Sequence, residues 1–196
     1  MNQPAPPKLA APGAGLPLWQ LIALRYFFFP RYVKKMTWES SQVFFKKQGD
    51  NILGIARALN PESLTQQVLV KPIIGIEDSS RYWSVSMVME HLIIVGTQMA
   101  DGIIEMTHGR VPKKEANTAT VKPFENRPAA VIIPKYQDFL ENFLKRTTQG
   151  IGDRQSEQRF LHPWFGPLKA SQWIALAAIH QQIHHKQAVA ITKGMS

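Results

Sequence analysis

Three histidines stand at spacings that suit metal chemistry: His91 in one strongly apolar stretch, and His180 with His184 in another. In SQWIALAAIHQQIHHKQAVAI the residues Trp173, Ala177, His180, His184, Gln187 and Ile191 recur at steps of three and four, so they share one helix face directed into the protein. His91 lies among Met87, Val88, Ile94 and Val95, with Gln98 one heptad further on, and is expected to be buried too. An i, i+4 pair brings its Cβ atoms to roughly 6 Å, so both rings can meet one ion about 2.1 Å from each nitrogen. A plainer reading stands beside this one. A lone histidine on an apolar face is commonly a core residue hydrogen-bonded to a neighbour, which suffices for His91 taken alone, and H-x3-H is by itself a weak motif.

The chain contains no cysteine. That excludes a disulfide framework, a thiolate ligand and a thiol nucleophile of its own, so a metal would rest on imidazole, carboxylate and water. Absence of cysteine fits the cytoplasm, the expected location, without excluding export. The remaining polar residues near the triad are weaker candidates. His185 points about 140° away from His180 on the helical wheel, toward solvent or another subunit. His162 precedes Pro163 and is expected to fix a turn, and His108 suits a helix C-terminus. Glu90 is turned about 100° from His91 and reads as a surface or supporting residue, not a fourth ligand. Of Gln98 and Gln187, the latter lies closer to a histidine, His184, and is the better ring-orienting residue.

These residues need helices to position them. Trp38, Phe45, Ile52 and Leu59 repeat every seven residues after Thr37, a suitable N-cap, and define a first core helix. A second runs from about Ser79 to His108, with Val85, Leu92, Met99 and Met106 in an apolar lane and Gly109 as its stop. The Pro-rich stretch from Arg110 to Pro134 reads as a crossover long enough to join parallel neighbours, with a short extended piece at Val131 to Ile133. Tyr136, Phe139, Leu140, Phe143, Leu144 and Thr147 mark a third helix, and the fourth begins near Ser171. The expected fold class is all-α, a four-helix bundle occupying residues 37–196, an architecture that builds metal sites from facing helices.

Two segments precede it. Residues 1–17, with Pro4, Pro6, Pro7, Pro12 and Pro17, read as a flexible Pro-rich tail, and residues 18–36 as a short aromatic helical extension. The run LPLWQLIALRYFFF (16–29) is too short to span a bilayer and lacks the flanks of a signal peptide. Its aromatics can pack on the core, and the stretch 16–35 can alternatively touch a membrane surface with its basic residues near headgroups. The net charge of +9 comes from scattered pairs such as Lys34 and Lys35, or Lys113 and Lys114. With no long basic run and no nucleic-acid-binding motif, nucleic acid is not the expected partner.

The segment HPWFGPLKASQWIALAAIHQQIHHKQ (His162 to Gln187), with its H-P-x-x-G turn, tryptophan-bearing helix start, H-x3-H and following glutamine, resembles the DinB-like metal-binding bundle superfamily. WSVSMVMEHL (Trp83 to Leu92) looks like that superfamily's first ligand-bearing helix. The resemblance spans about Trp38 to Ile191 and implies that His91, His180 and His184 form a metal triad in an up-up-down-down bundle, frequently a homodimer. The residues before Trp38 lie outside it. Some members of the superfamily transfer a small thiol (bacillithiol, mycothiol or glutathione) to an electrophile or catalyse isomerisation, as maleylpyruvate isomerases do. Others have no assigned activity, and this chain is most similar to that branch.

An ion held by three neutral imidazoles keeps open positions and acts as a Lewis acid, able to lower the pKa of bound water to about 7 or to bind an incoming thiol as thiolate. Imidazole suits Zn first, with Ni or Fe next. The leading expectation is therefore a divalent-metal-binding bundle, acting as a thiol transferase or isomerase on a small-molecule electrophile with an external low-molecular-weight thiol. The alternatives are a non-catalytic metal-binding or interaction protein and then a metal-dependent hydrolase.

Overall fold

A computed structural model describes residues 7–113 and 117–195. Residues 1–6 of the Pro-rich tail therefore lie outside the described residues. Near the N-terminus, α1 (Leu18–Ile22) passes through a π-helical stretch (Ala23–Phe28) into α2 (Phe29–Lys35). The bundle helices are α3 (Trp38–Ala58), α5 (Val85–Thr107), α6 (Ala129–Gln149) and α7 (Ala170–Lys193), with a short α4 (Pro61–Thr65) after the first of them. Two antiparallel strand pairs, unmarked by any alternation in the sequence, complete the fold. They are β1 (Val68–Leu69) with β2 (Tyr82–Trp83), and β3 (Arg159–His162) with β4 (Gly166–Lys169).

The caps explain where the long helices begin. The Thr37 hydroxyl accepts the Ser40 N–H (3.1 Å) and the Ser40 hydroxyl accepts the Thr37 N–H (2.8 Å), a reciprocal box that satisfies two otherwise orphaned donors. Ser84 caps α5 by accepting the Met87 N–H, so that helix starts later than the expected Ser79, where Asp78–Ser80 form a 3-10 turn instead. At its far end Gly109, at φ 75°, takes the left-handed conformation that stops the helix cheaply. The expected extended piece at Val131 to Ile133 is helical. Pro134 does not break α6 because it lies on the exposed side, where water can take the unpaired Ala130 carbonyl, while Ile132 and Tyr136 extend the buried stripe by a turn.

In the bundle α3 and α5 sit diagonally, each packed between α6 and α7. The expectation of an all-α four-helix bundle holds, but the helix directions run up-down-down-up, not up-up-down-down. Trp38 and Gln42 meet Thr147 while Arg57 meets Gln137, so α3 and α6 are antiparallel. Gly96 faces Phe139 and Asp101 pairs with Arg146, so α5 and α6 are parallel. The connections decide this order. Residues 59–84 fold back through the β1/β2 pair and return the chain at the same end of the bundle. Residues 108–128 can reach up to about 70 Å when extended, ample to run along helices about 34 Å long.

The dry centre of the bundle is filled by Phe45, Ile52, Leu92, Ile103, Tyr136, Phe143 and Ile174, all essentially inaccessible to solvent. Among the described residues one helix, Val85–Thr107, is long and apolar enough to cross a membrane by length and composition, and it is packed between α6 and α7.

Candidate metal centre

His91 is placed by α5, and His180 and His184 by successive turns of α7, which packs antiparallel to α5. One ligand nitrogen from each ring lies within 4.8 Å of the others. His91 and His184 are buried, and His180 is partly open. Ring centroids are 4.6 Å apart for His91 and His184, 5.1 Å for His91 and His180, and 4.5 Å for His180 and His184. Trp83, carried to the site by β2, lies nearly parallel to the His184 ring and tilted against His91, closing one side with an apolar wall.

The hydrogen bonds around the rings fix which nitrogens carry protons. The Val121 carbonyl can only accept, so His91 Nδ1–H donates to it (2.6 Å) and Nε2 keeps its lone pair. Gln187 Nε2 donates to the Ser80 carbonyl (2.6 Å), which turns Gln187 Oε1 toward His184. His184 Nδ1–H therefore donates to that oxygen (2.8 Å), and its Nε2 is bare as well. His91 Nε2 and His180 Nε2 face each other at 3.2 Å. Two ligands about 2.1 Å from a tetrahedral ion stand about 3.4 Å apart, so this pair already has a ligand-like separation. The third ring's ligand nitrogen lies within 4.8 Å of both, and the donor set fits a divalent ion.

The electrostatics agree with that fit. Burial first, and neighbouring imidazoles second, push the pKa values of His91, His180 and His184 well below the usual 6.5, so all three rings are neutral at neutral pH. Neutral imidazole is the form that ligates.

A cavity of about 950 Å³ opens from the triad and runs between α5, α7, the crossover and the N-terminal segment. Its walls are mostly apolar, with Val95, Met99, Phe160, Phe165 and Ile179 among them. Near the histidines it carries one ion pair. Lys122 Nζ lies 2.6 Å from Glu77 Oε2 and donates also to the Ser80 hydroxyl (2.8 Å). Among the described residues, Glu77 Oε1 is buried without a hydrogen-bond partner. Burial raises the Glu77 pKa, but the Lys122 hydrogen bond and charge, with the Gly13 N–H, outweigh it and hold the carboxyl below its ordinary value. Glu77 is therefore an ionised carboxylate in the cavity wall, held by Lys122.

The other sequence candidates divide clearly. Gln187 orients His184, as its position on the histidine face indicated. Gln98 lines the cavity. Glu90 is buried and is no ligand: its carboxylate pairs with Arg127 at 2.9 Å and with Lys135 at 3.6 Å, tying the crossover and α6 to α5. His185 turns to α3 within the same chain, where its Nδ1 meets Gln48 Oε1 at 2.9 Å, rather than to solvent or another subunit. His162 Nδ1 accepts the N–H groups of Trp164 and Phe165 in the β3/β4 turn, and burial lowers its pKa to about 3. His108 ends α5, its Nδ1–H donating to the Ile104 carbonyl.

Trp83, Ser80, Glu77, Lys122 and the Val121 carbonyl escaped the sequence reading. Lys122 and Val121 belong to a crossover with no periodicity, so only the fold brings them to the triad.

Fold and site together define an all-helical bundle with a buried three-imidazole centre at the end of an apolar cavity. The chain is similar in structure to TT2238, described as a four-helix bundle protein, with a TM-score of 0.51 at 21% identity over 79% of this chain and 98% of that one. That likeness concerns the fold. No protein-family model matches the chain, and no curated protein does.

Proposed function

We propose that this chain is a divalent-metal-binding protein of the DinB-like kind, with His91, His180 and His184 as its ligands. The observation that carries the reading is the convergence of three neutral rings, two of them held by acceptors on Nδ1 so that their Nε2 lone pairs are free. The resemblance of His162 to Gln187 and of Trp83 to Leu92 to that superfamily supports it independently. Zn is the first choice of ion, with Ni or Fe next.

The activity we infer is transfer of an external low-molecular-weight thiol to a small electrophile, or isomerisation through such a thiol, in the cytoplasm. A bound ion would supply Lewis acidity and stabilise the thiol as thiolate. Lys122 adds positive charge beside the triad and suits an anionic group of thiol or electrophile. The apolar walls exclude water and select an electrophile with an apolar body.

Elemental mass spectrometry of tag-free protein beside the His91→Ala, His180→Ala and His184→Ala variants tests the centre. Near-stoichiometric metal in the parent and its loss in all three variants are expected; failure of the parent to take up metal on reloading defeats the reading. A thiol and electrophile screen of the loaded protein then separates an enzyme from a non-catalytic metal-binding protein. Turnover persisting in metal-free His184→Ala protein would defeat the transferase scheme.

A further inference from the structure

The N-terminal helical segment has two unlike faces. Its inner face is fixed to the bundle: Phe29 stacks on Phe165 with ring centroids 4.4 Å apart, Tyr32 lies against Phe44, and the buried Gln20 accepts the Gly75 N–H. Its outer face leaves Leu18, Trp19, Tyr26, Phe27 and Phe28 between 54% and 71% exposed. These residues are close together in the chain and held on a rigid support, unlike the scattered single apolar residues normal on a protein surface.

Charge points to what covers them. Arg25, Arg31, Lys34 and Lys35 are exposed on the same segment, and the first acidic residue in the chain is Glu39. Arg25 lies over the Tyr26 ring and Arg31 over the Phe27 ring, so cations and aromatics share one surface. Trp and Tyr with flanking Lys and Arg are the side chains that settle at a bilayer's headgroup level, and the segment is too short to span. A second copy of this face would bring its cations together without a counter-charge. Continuity with the cavity is a further argument, because Phe28 is 62% exposed and also lines the cavity that leads to the histidines.

We propose that the segment Leu18–Lys35 seats this protein on an anionic bilayer surface, with Trp19, Tyr26, Phe27 and Phe28 entering the headgroup region and Arg25, Arg31, Lys34 and Lys35 meeting lipid phosphates. Docking in this way leaves the cavity mouth facing the membrane. It does not depend on the metal centre.

Sedimentation with vesicles tests the docking, using phosphatidylcholine alone and phosphatidylcholine mixed with phosphatidylglycerol. The full chain is expected to pellet with the anionic vesicles, less so as salt rises, and to stay in solution with the neutral ones. A Trp19→Ser, Phe27→Ser double variant and a Lys34→Glu, Lys35→Glu double variant should each bind about tenfold more weakly or worse. All four positions are exposed, so far-ultraviolet circular dichroism and metal content should match the parent. No binding to anionic vesicles, or binding unchanged in both variants, overturns the proposal. So does a parent dimer in light scattering that the Trp19→Ser, Phe27→Ser variant converts to monomer without any vesicle binding, which would assign the patch to a second copy. Because metal-free protein is expected to bind the same vesicles, failure of the metal reading would leave this result untouched.

Discussion

The seam between α3 and α6 and the seam between α5 and α7 belong to one bundle and are built on opposite plans. Between α3 and α6, Phe45 stacks on Phe143 with centroids 4.0 Å apart and meets Phe139 edge-on, while Gly49 lets Leu140 come so close that an added Cβ would sit 2.5 Å from it. The seam interior is apolar and leaves no room. Between α5 and α7 the equivalent depth holds three imidazoles, those of His91 and His184 buried and that of His180 partly open, and a cavity. Buried imidazoles forgo hydration and gain little from packing, so the first seam must supply stability that the second gives up. Dividing the work this way lets a site be kept open inside a bundle without loosening the whole.

Removing the aromatic stack should give the largest effect on folding. Phe143→Ala deletes a fully buried ring and is expected to cost about 3–5 kcal/mol of unfolding free energy, measured by urea denaturation. Metal stoichiometry of the protein that remains folded should not change. If metal affinity fell in proportion, the two seams would be one cooperative unit and the division of labour would fail.

The converse substitution lies in the other seam. Gln187→Leu removes the acceptor for His184 Nδ1–H and the donor to the Ser80 carbonyl in a volume-conserving way. Metal affinity, measured by competition with a chelator, should fall about 10–100-fold, the usual consequence of losing a ligand's supporting hydrogen bond. Unchanged affinity would mean that packing alone orients the ring.

Acidity should act chiefly on the histidine side, although burial also lowers the pKa of His185, packed against Gln48 of α3. His91, His180, His184 and His162 all have folded-state pKa values below the roughly 6.5 of an unfolded chain. Below that pH the unfolded state binds more protons, so stability present above about pH 6.5 is lost as pH falls. The slope is about 1.4 kcal/mol per pH unit for each such histidine. Urea titrations of chelator-treated protein between neutral and mildly acidic pH should show it. The curve for Phe143→Ala should run parallel to the parent's and that for His184→Ala should be shallower. Equal slopes in all three would place the titrating groups elsewhere.

The two seams also differed in how far they could be read from the sequence. Heptad spacing of Trp38, Phe45 and Ile52 and the stripe from Tyr136 to Thr147 mark the apolar seam directly, because burial on a helix leaves a period. The histidine faces left the same trace, so the three rings and Gln187 were legible. What surrounds them was not. Val121 acts through a backbone carbonyl, and Glu77 and Lys122 come from aperiodic connections whose course depends on the bundle already being formed. Helix direction was misjudged for the same reason: it is set by where residues 59–84 turn, and those residues turn through a strand pair that is only two residues long. Pro134 misled locally, since its cost depends on which side of the helix faces water.

A smaller effect is expected at the end of the aromatic seam. Thr37 caps α3 at the end of the aromatic seam, where the Trp38 indole donates to the Thr147 carbonyl (3.0 Å) and the Gln42 amide to the Thr147 hydroxyl (3.0 Å). Thr37→Ala abolishes the hydroxyl half of the capping box and should cost about 1 kcal/mol in urea denaturation. If the cap serves only its own helix, the cost should be the same in the Phe143→Ala background, because the Thr37 contacts are to Ser40 and Ser41 and not to the ring. If the losses do not add, the cap and the stack are coupled through Trp38 and Thr147. The aromatic seam would then extend from Phe45 to the end of the bundle as one structural unit. Metal content should be identical in both single variants and in the double one, since nothing in this part of α3 touches the rings of His91, His180 or His184.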